Sequence, residues 1–517
     1  MPALIFYYIC TMRLKILLEG AGAAAPEGAG EIEIASVIND SRLAGPGALF
    51  FALPGARTDG ARFIRQALEK GAAAVVSGAE VPPELRAAFP GAAFIRTADL
   101  PNTLSRAAAN FYGHPSARLK VFGITGTKGK TTAAYLLENI LRLAGSRPGV
   151  IGTIDYRVDG RVLAPAANTT PLAHTLQELL AKMVAADALA AVLEVSSHAL
   201  ALGRADDVDF DCAVFTNLQR DHLDFHKDRE AYFQAKARLF DLLERSPKNE
   251  KCAVINADDE RAEWLIKRLK GRVKTLTFAI ENAADFRADG LEILETATRF
   301  TLKAGEKALP VKLNLLGRHN VYNALAAIAA AVAGGISLRA AVDGAQALAN
   351  VPGRLERVDL GQEFSVFVDY AHTDAALENV LSNLGLLPHR RIITVFGCGG
   401  DRDRTKRAPM GKAACGLSEL AIVTSDNPRS EAPAQIFADI EKGIAGEFTN
   451  YEVIPDRGAA IAKAVALAGK GDIILIAGKG HETYQILGDR TIHFSDTEAA
   501  AQAIKEKLGK GDRRTGA

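Results

Sequence analysis

Apolar positions in this chain gather into short unbroken runs that stop at polar, glycine-bearing tips. The run at 119–124 reads as a buried strand. A glycine-rich turn follows it, and 131–143 then carries apolar residues at helical spacing. The runs at 190–195 and 212–216 repeat the arrangement. The first ends on Ser196-Ser197-His198 and the second on Asn217-Leu218-Gln219-Arg220-Asp221-His222. Four more runs lie at 365–368, 391–396, 421–424 and 473–477. Their tips are Asp369-Tyr370-Ala371-His372, Gly397-Cys398-Gly399-Gly400-Asp401-Arg402-Asp403, Asp426-Asn427-Pro428-Arg429 and Gly478-Lys479-Gly480-His481-Glu482. Open parallel α/β sheets place ligand sites at the carboxyl ends of their strands, so tips of this kind locate chemistry. Helices are expected at 63–70, 231–243 and, alanine-rich, 325–332, with a further strand at 72–76.

These elements predict an α/β fold of three domains. A small N-terminal α/β domain takes residues 1–118, holding the stretches 34–42 and 47–55. A central P-loop ATPase-like parallel sheet takes 119–350. A Rossmann-like domain takes 351–517, after a linker at 349–353. The tail beyond Lys505 is basic and glycine-containing, and it is expected to fray. The chain shows no internal repeat.

Length agrees with that division, since 517 residues suit about three domains of ordinary size. Apolar residues make up 48% and charged ones 24%, as in globular proteins, and the net charge of +1 implies no general attraction to nucleic acid or membrane. The five cysteines, Cys10, Cys212, Cys252, Cys398 and Cys415, lack metal-ligand or CxxC spacing. That suits a reducing cytoplasm and argues against a disulfide framework or structural zinc. The apolar stretch 3–10 is too short to span a bilayer and lacks a basic leader region. Met12 followed by Arg13-Leu14-Lys15-Ile16 reads as a more natural start. Residues 1–11 are therefore expected to be an upstream-start artefact or a disordered extension.

The turn Gly126-Thr127-Lys128-Gly129-Lys130-Thr131-Thr132 has the chemistry of a nucleotide-phosphate loop. Its glycines let amide N–H groups point at an anion, and the helix N-terminus adds partial positive charge. Lys130 supplies a mobile cation and Thr131 a hydroxyl for Mg²⁺. Ile124 stands where the usual pattern has glycine, so the strand before and the helix after carry the expectation of ATP or GTP binding. His222 and His226 have the i,i+4 spacing of a zinc pair, but the residues between lack the glutamate of a HExxH site. Lys236, a lone helical lysine, reads from the residues alone as part of a solvated face. Asp40-Ser41-Arg42 reads as a turn.

Taken together, the phosphate loop, Asn168-Thr169-Thr170, Glu194-Val195-Ser196-Ser197-His198, the stretch 217–224 and the four C-terminal tips resemble the Mur ligases, which build the peptide of bacterial cell-wall precursors. The resemblance covers nearly the whole chain after residue 12. It implies ATP-driven amide formation through an acyl phosphate, in peptidoglycan precursor synthesis. The acid substrate is UDP-N-acetylmuramoyl-L-alanyl-D-glutamate and the amine is meso-2,6-diaminopimelate. The protein is expected to be a cytoplasmic monomer with no nucleic-acid partner and no membrane insertion.

Residue by residue, the resemblance assigns ATP to Gly126, Thr127, Lys128, Gly129, Lys130, Thr131, Thr132, Asn320, Arg354 and Asp369, with Asn323 nearby. Asn320 faces the adenine, and Arg354 and Asp369 serve phosphate and ribose. Lys130, Glu194, His222 and Lys236 are the catalytic set. Mg²⁺ falls to Thr131, Glu194, His222 and Lys236, the last as a CO₂-derived carbamate that needs a neutral amine and so a depressed lysine pKa. The UDP-sugar falls to Asn39, Ser41, Ala56, Arg57, Thr58, Asn168, Thr169, Thr170, Ser196 and Arg204. Diaminopimelate falls to Arg402, Asp426, Asn427, Pro428, Arg429, Gly478 and Glu482, with Glu482 taking an ammonium.

Diaminopimelate is lysine with an extra carboxylate at the far end, and reading that group calls for a planar bidentate cation, here Arg429. A turn explains Asn427-Pro428 but not Arg429. Rival readings are a lysine-adding ligase, a folylpolyglutamate-type ligase and a non-catalytic nucleotide-binding scaffold. Three positions depart from relatives: Lys128 for a common asparagine, Leu202 for a polar residue, and Asp374 for proline.

Overall fold

The computed structural model describes residues 11–55, 58–222 and 225–512. The extension expected at 1–11 (all but Thr11), the sugar-site candidates Ala56 and Arg57, and Leu223 and Asp224 of the resemblance lie outside the described residues. The chain forms two compact units. The first runs through Ala288 and adds Leu302–Ala308 and Tyr322–Ala345. The second comprises Asp289–Thr301, Leu309–Val321 and the chain from Gln346 on.

Two sheets of the first unit position the site, a small parallel one and a larger mixed one. In the smaller, strands Ser36–Ile38, Ala48–Phe51, Ala72–Ser77 and Ala93–Arg96 lie side by side in chain order. Asp40 caps the 3₁₀ turn Ser41–Leu43, its carboxylate accepting from Arg42 N at 2.9 Å, so the Asp-Ser-Arg tip is a turn as its residues predict. In the larger sheet, parallel strands run in the order Pro148–Ile151, Ala190–Glu194, Lys120–Thr125, Cys212–Phe215, Cys252–Asn256, Lys274–Ala279. The antiparallel hairpin Asp155–Val158/Arg161–Pro165 extends the Pro148 edge.

The strand feeding the phosphate loop is therefore central, and its two neighbours are the other runs with polar tips. Register aligns the three ends, with Glu194 opposite Ile124 and Phe215 opposite Thr125. Continuous apolar runs fit here because helices cover both faces. Gly123 lets helix Arg229–Arg245 pack close, since a methyl there would come within 2.7 Å of Phe210 and 3.0 Å of Leu239.

The second unit has a six-stranded sheet in the order Glu356–Arg357, Ser365–Asp369, Ile473–Ala477, Ile392–Phe396, Leu420–Val423, Tyr451–Val453. All but the first strand are parallel. Helices Asp374–Gly385, Arg407–Gly416 and Pro433–Glu441 bury Leu377, Leu381, Met410 and Ile440 on one face. Helices Arg457–Leu467 and Asp496–Asp512 bury Ile461, Val465 and Ile504 on the other. This is a doubly wound layer, as the alternating pattern predicts.

The tail corrects one expectation. Beyond Lys505 the final helix continues to Asp512, and residues 513–517 lie outside the described residues. Ile504 is fully buried, and Lys507 Nζ donates to the carbonyls of Val465 (2.8 Å) and Ala466 (3.2 Å) at the end of the neighbouring helix. Lys507, one of the basic residues of that tail, thus caps the neighbouring helix and meets the negative end of its dipole. No helix among the described residues is long and apolar enough to cross a membrane.

Candidate active site

Strand Lys120–Thr125 runs straight into the phosphate loop. Gly126 and Gly129 have φ of 150° and 87°, and a methyl at either would overlap a neighbour, Thr216 Oγ1 or Asn323 Oδ1. Both glycines are thus demanded by conformation and by space. Ile124 replaces the customary glycine because it is still within the strand, buried and paired with Glu194. Asn217 ties the loop down. Its carbonyl accepts from Thr127 N at 2.9 Å and its Oδ1 from Lys128 N at 3.0 Å. Lys130 opens helix Lys130–Leu143, and its Nζ donates to the carbonyls of Gly126 (2.8 Å) and Thr127 (3.2 Å).

Glu194 organises the oxygen donors beside this loop. Its Oε2 accepts from Thr131 Oγ1 at 2.8 Å and Thr153 Oγ1 at 2.9 Å, and its Oε1 accepts from Thr153 N at 2.9 Å. Gly152 makes room, since a methyl there would overlap Oε1. Thr153 and Thr169 hydroxyls are 3.1 Å apart. Thr170 Oγ1 donates to Glu194 O at 2.8 Å and accepts from Ser196 N at 3.0 Å, while Arg204 donates to Thr170 O at 2.9 Å. Tyr156 hydroxyl donates to Asn168 O at 2.7 Å. The structure thus brings Thr131, Asn168, Thr169, Thr170, Ser196 and Arg204 around Glu194. A hydroxyl and a carboxylate side by side at a phosphate loop suit a hard, oxygen-loving cation such as Mg²⁺.

Lys236 overturns its reading as a solvated lysine. It lies on the buried side of its helix with 1% exposure. Its Nζ donates to Gly126 O at 2.8 Å and stands 4.3 Å from the Tyr232 ring. Burial, reinforced by the Lys130 cation, holds its pKa well below the usual lysine value, against a smaller opposing pull from Asp221.

His222 occupies the left-handed region at φ 52°. Its ring packs with His198 (4.8 Å between centroids) and Tyr232 (6.1 Å), and Tyr232 hydroxyl lies 3.2 Å from Thr127 Oγ1. His226 Nε2 is bound to Ser197 Oγ at 2.9 Å. Among the described residues no three His, Cys, Asp or Glu side chains form a metal-holding group. At the smaller sheet, Ser41 is buried and donates to Gln66 Oε1 at 2.7 Å, while Asn39 is half-buried and Thr58 exposed.

In the second unit, four strand tips assemble a charged cluster. Asp426 and Asn427 are buried. Arg429 is left-handed, at φ 54°, and is fixed by Arg429 N donating to Ile486 O (3.1 Å) and Gly488 N donating to Arg429 O (2.8 Å). Its guanidinium donates to Gly400 O at 2.8 Å. Gly478, at φ 116°, lets Asp426 close in, since a methyl would lie 2.9 Å from Asp426 Oδ2. Glu482 Oε2 accepts from Asn427 Nδ2 at 2.8 Å. Tyr484 stands among these groups. Burial and then the charge of Glu482 push its phenol pKa up, with Arg429, Asp426 and Arg402 also in electrostatic reach.

Behind the tips, fully buried Arg457 pairs with Asp496 at 2.6 Å and donates to Ala477 O (2.9 Å) and Ser425 O (3.3 Å). Asp369 uses its carboxylate on backbone, accepting from Leu355 N and Ala371 N at 2.8 Å each. Arg354 stacks 5.4 Å over Tyr370, and Asn320 is buried, donating to Leu316 O at 2.9 Å.

Comparison with known proteins decides the family. The Mur ligase middle domain matches residues 124–331, the Mur ligase glutamate ligase domain 353–480, and the Mur ligase family catalytic domain 33–112. A protein of Solibacter usitatus named UDP-N-acetylmuramoyl-L-alanyl-D-glutamate–2,6-diaminopimelate ligase is 46% identical, covering 93% of this chain and 95% of its own. One of the same name from Streptomyces coelicolor is 45% identical over 96% and 97%. The chain belongs to the Mur ligase family. A solved structure of a ligase with that same name covers 96% of this Mur ligase and 100% of its own chain, at 33% identity and a TM-score of 0.69.

In this Mur ligase the three departures resolve locally. The Lys128 ammonium lies 3.6 Å from the Asp221 carboxylate. Leu202 ends helix Ser197–Ala201 as an exposed cap. Asp374 takes the first turn of helix Asp374–Gly385, where a carboxylate is favoured by the dipole as proline is by its φ. Reading the sequence missed Thr153, Lys479, Tyr484 and the Arg457–Asp496 pair. Thr153 had a signal, a fourth apolar run ending in glycine at 148–152; the Arg457–Asp496 pair had none, its members being far apart in sequence.

Proposed function

We propose that this Mur ligase joins meso-2,6-diaminopimelate to UDP-N-acetylmuramoyl-L-alanyl-D-glutamate using ATP. The name carried by relatives 41–46% identical over 92–96% of the chain supports this. The D-glutamate carboxylate attacks the γ-phosphorus of ATP and ADP leaves. The amine of diaminopimelate then attacks the acyl phosphate, the amide forms, and phosphate and a proton are released.

The phosphate loop, Gly126 to Thr132, and Lys130 in particular would bind the triphosphate, with Asn320 on the adenine and Arg354 and Asp369 on phosphate and ribose. Thr131 and Glu194, with His222, would hold Mg²⁺, which supplies charge neutralisation on the phosphates. Lys236, kept neutral by burial, would take up CO₂ as a carbamate and so become an anion beside Lys130. Residues 1–118, through Asn39, Ser41 and Thr58, would hold the UDP-sugar, and Asn168, Thr169, Thr170, Ser196 and Arg204 its peptide side. Residues 119–350 would serve ATP and 351–517 the amino acid. The protein would act as a cytoplasmic monomer.

The observation that carries the choice of amino acid is the cluster of Asp426, Arg429 and Glu482 around Tyr484. Opposite charges gathered at one place are what the zwitterionic end of diaminopimelate requires, Arg429 for its carboxylate and Glu482 for its ammonium. The test measures phosphate release from ATP and the UDP-dipeptide with meso-diaminopimelate, with L-lysine and with neither. Release that needs diaminopimelate supports the reading. Equal turnover of L-lysine, or release indifferent to any amino acid, refutes it.

A further inference from the structure

We propose that Lys479 is a positioning residue that sets amino-acid specificity: its buried ammonium, bound to both Asn427 and Glu482, makes the receptor favour a zwitterionic side-chain end over a lone ammonium. The inference rests on the amino-acid assignment above.

Lys479 is 0% exposed although its motif, Gly478-Lys479-Gly480, sits at a strand tip. Its Nζ lies 3.2 Å from Asn427 Oδ1 and 3.2 Å from Glu482 Oε2, and 5.4 Å over the Tyr484 ring. Asn427 Oδ1 also accepts from Ile486 N at 3.0 Å. With its oxygen facing two donors, the amide can turn only its Nδ2 toward Glu482, and it donates there at 2.8 Å. One Glu482 oxygen is therefore held by an ammonium and an amide together. Glu482 N closes the turn onto Lys479 O at 2.9 Å, so the two side chains share one rigid loop.

The charge count follows. Asp401, Asp426 and Glu482 bring three negative charges, Lys479, Arg402 and Arg429 three positive ones, and Arg457 is matched by Asp496. A balanced receptor gains from a ligand end that carries both signs. It gains little from an ammonium alone, whose attraction to Glu482 is already offset by Lys479. Without Lys479 the same tips hold three carboxylates against Arg402 and Arg429, and an added cation becomes welcome. Meso-diaminopimelate and L-lysine differ by just the carboxylate that this balance reads.

The test is the ratio of kcat/KM for meso-diaminopimelate to that for L-lysine in full-length Lys479→Met. Truncating one partner of a buried charge pair should lower kcat/KM for diaminopimelate by roughly 30-fold or more, chiefly through KM. Turnover of L-lysine should hold or rise, and KM for ATP should stay within about twofold. Equal losses with both amino acids, or an unchanged ratio, overturn the proposal. Should Lys479→Met not fold, Lys479→Met/Glu482→Gln, which removes both charges, is compared with Glu482→Gln alone. The same ratio in both supports action through Glu482, and different ratios overturn it. Wild-type enzyme that fails to ligate diaminopimelate defeats the assignment of function itself. Wild-type enzyme that succeeds while Lys479→Met keeps its selectivity defeats this inference alone.

Discussion

Gly400→Ala should damage recognition of the amino acid while sparing the nucleotide. Gly400 N donates to Asn427 O at 2.9 Å, and Gly400 O accepts from the Arg429 guanidinium at 2.8 Å. A methyl on Gly400 would overlap the Pro428 carbonyl oxygen and lie 2.8 Å from its carbon. Ordinary contact begins at 3.4 Å, so the Pro428 peptide must retreat by at least about 0.6 Å (3.4 minus 2.8), and further for the oxygen. Gly400 has no left-handed φ, so backbone strain does not cloud the result. Arg429 follows Pro428 directly, and its backbone is pinned to Ile486 and Gly488, so the shift falls on the guanidinium. A misplacement of about 1 Å at a recognition group costs on the order of 100-fold in rate, or about 2.7 kcal/mol. Steady-state phosphate release, varying diaminopimelate, ATP and the UDP-dipeptide in turn, separates the effects. The loss should appear in kcat/KM for diaminopimelate. A variant with unchanged diaminopimelate kinetics, or with equal losses for all three substrates, would falsify the account.

Three further outcomes follow from the geometry. Lys236→Ala should be inactive, and a short carboxylic acid should restore turnover by replacing the carbamate; full activity without rescue excludes that role. Glu194→Gln removes the charge shared by Thr131 and Thr153 and should shift the Mg²⁺ dependence of turnover upward by roughly 100-fold, with the fold retained; an unshifted Mg²⁺ titration contradicts the placement. Asp472 accepts from Arg390, Arg391 and Gly469 N, and these partners hold its pKa down at about 2, below its usual 3.8, despite burial. A depressed carboxylate stabilises the folded state above the unfolded pKa and stops doing so as pH falls through the folded one. Asp472→Asn should therefore cost about 2 kcal/mol at pH 7 and little near pH 2; urea midpoints with the same deficit at both pH values would contradict this.

The strands and their tips were readable because each is a continuous apolar run that ends abruptly, and chain order alone then put seven polar tips on two sheets. The phosphate loop was readable for the same reason, down to Gly126 and Gly129. Lys236 was not. A lone lysine on a helix is ordinarily solvated, and only the packing of its helix beneath Gly126 removes this one from water. The resemblance to a family named the residue, but the physical ground for it, a desolvated amine beside another cation, is tertiary. Lys479 was hidden in another way: a lysine between two glycines suggests a mobile tip, whereas partners from Asn427 and Glu482 immobilise it. The terminal helix was misjudged because its basic composition said nothing of the carbonyls awaiting Lys507.

Asp496 opens helix Asp496–Asp512, and its carboxylate is the counter-ion of Arg457, which grips the ends of two strands behind the charged tips. That helix is synthesised later than the strands whose ends Arg457 grips, 39 residues after Arg457 itself. A chain cut short between the two would keep the phosphate loop and its sheet but leave a guanidinium in a buried place without its counter-ion, so the damage of such a truncation falls first on the tips at 426–429 and 478–482.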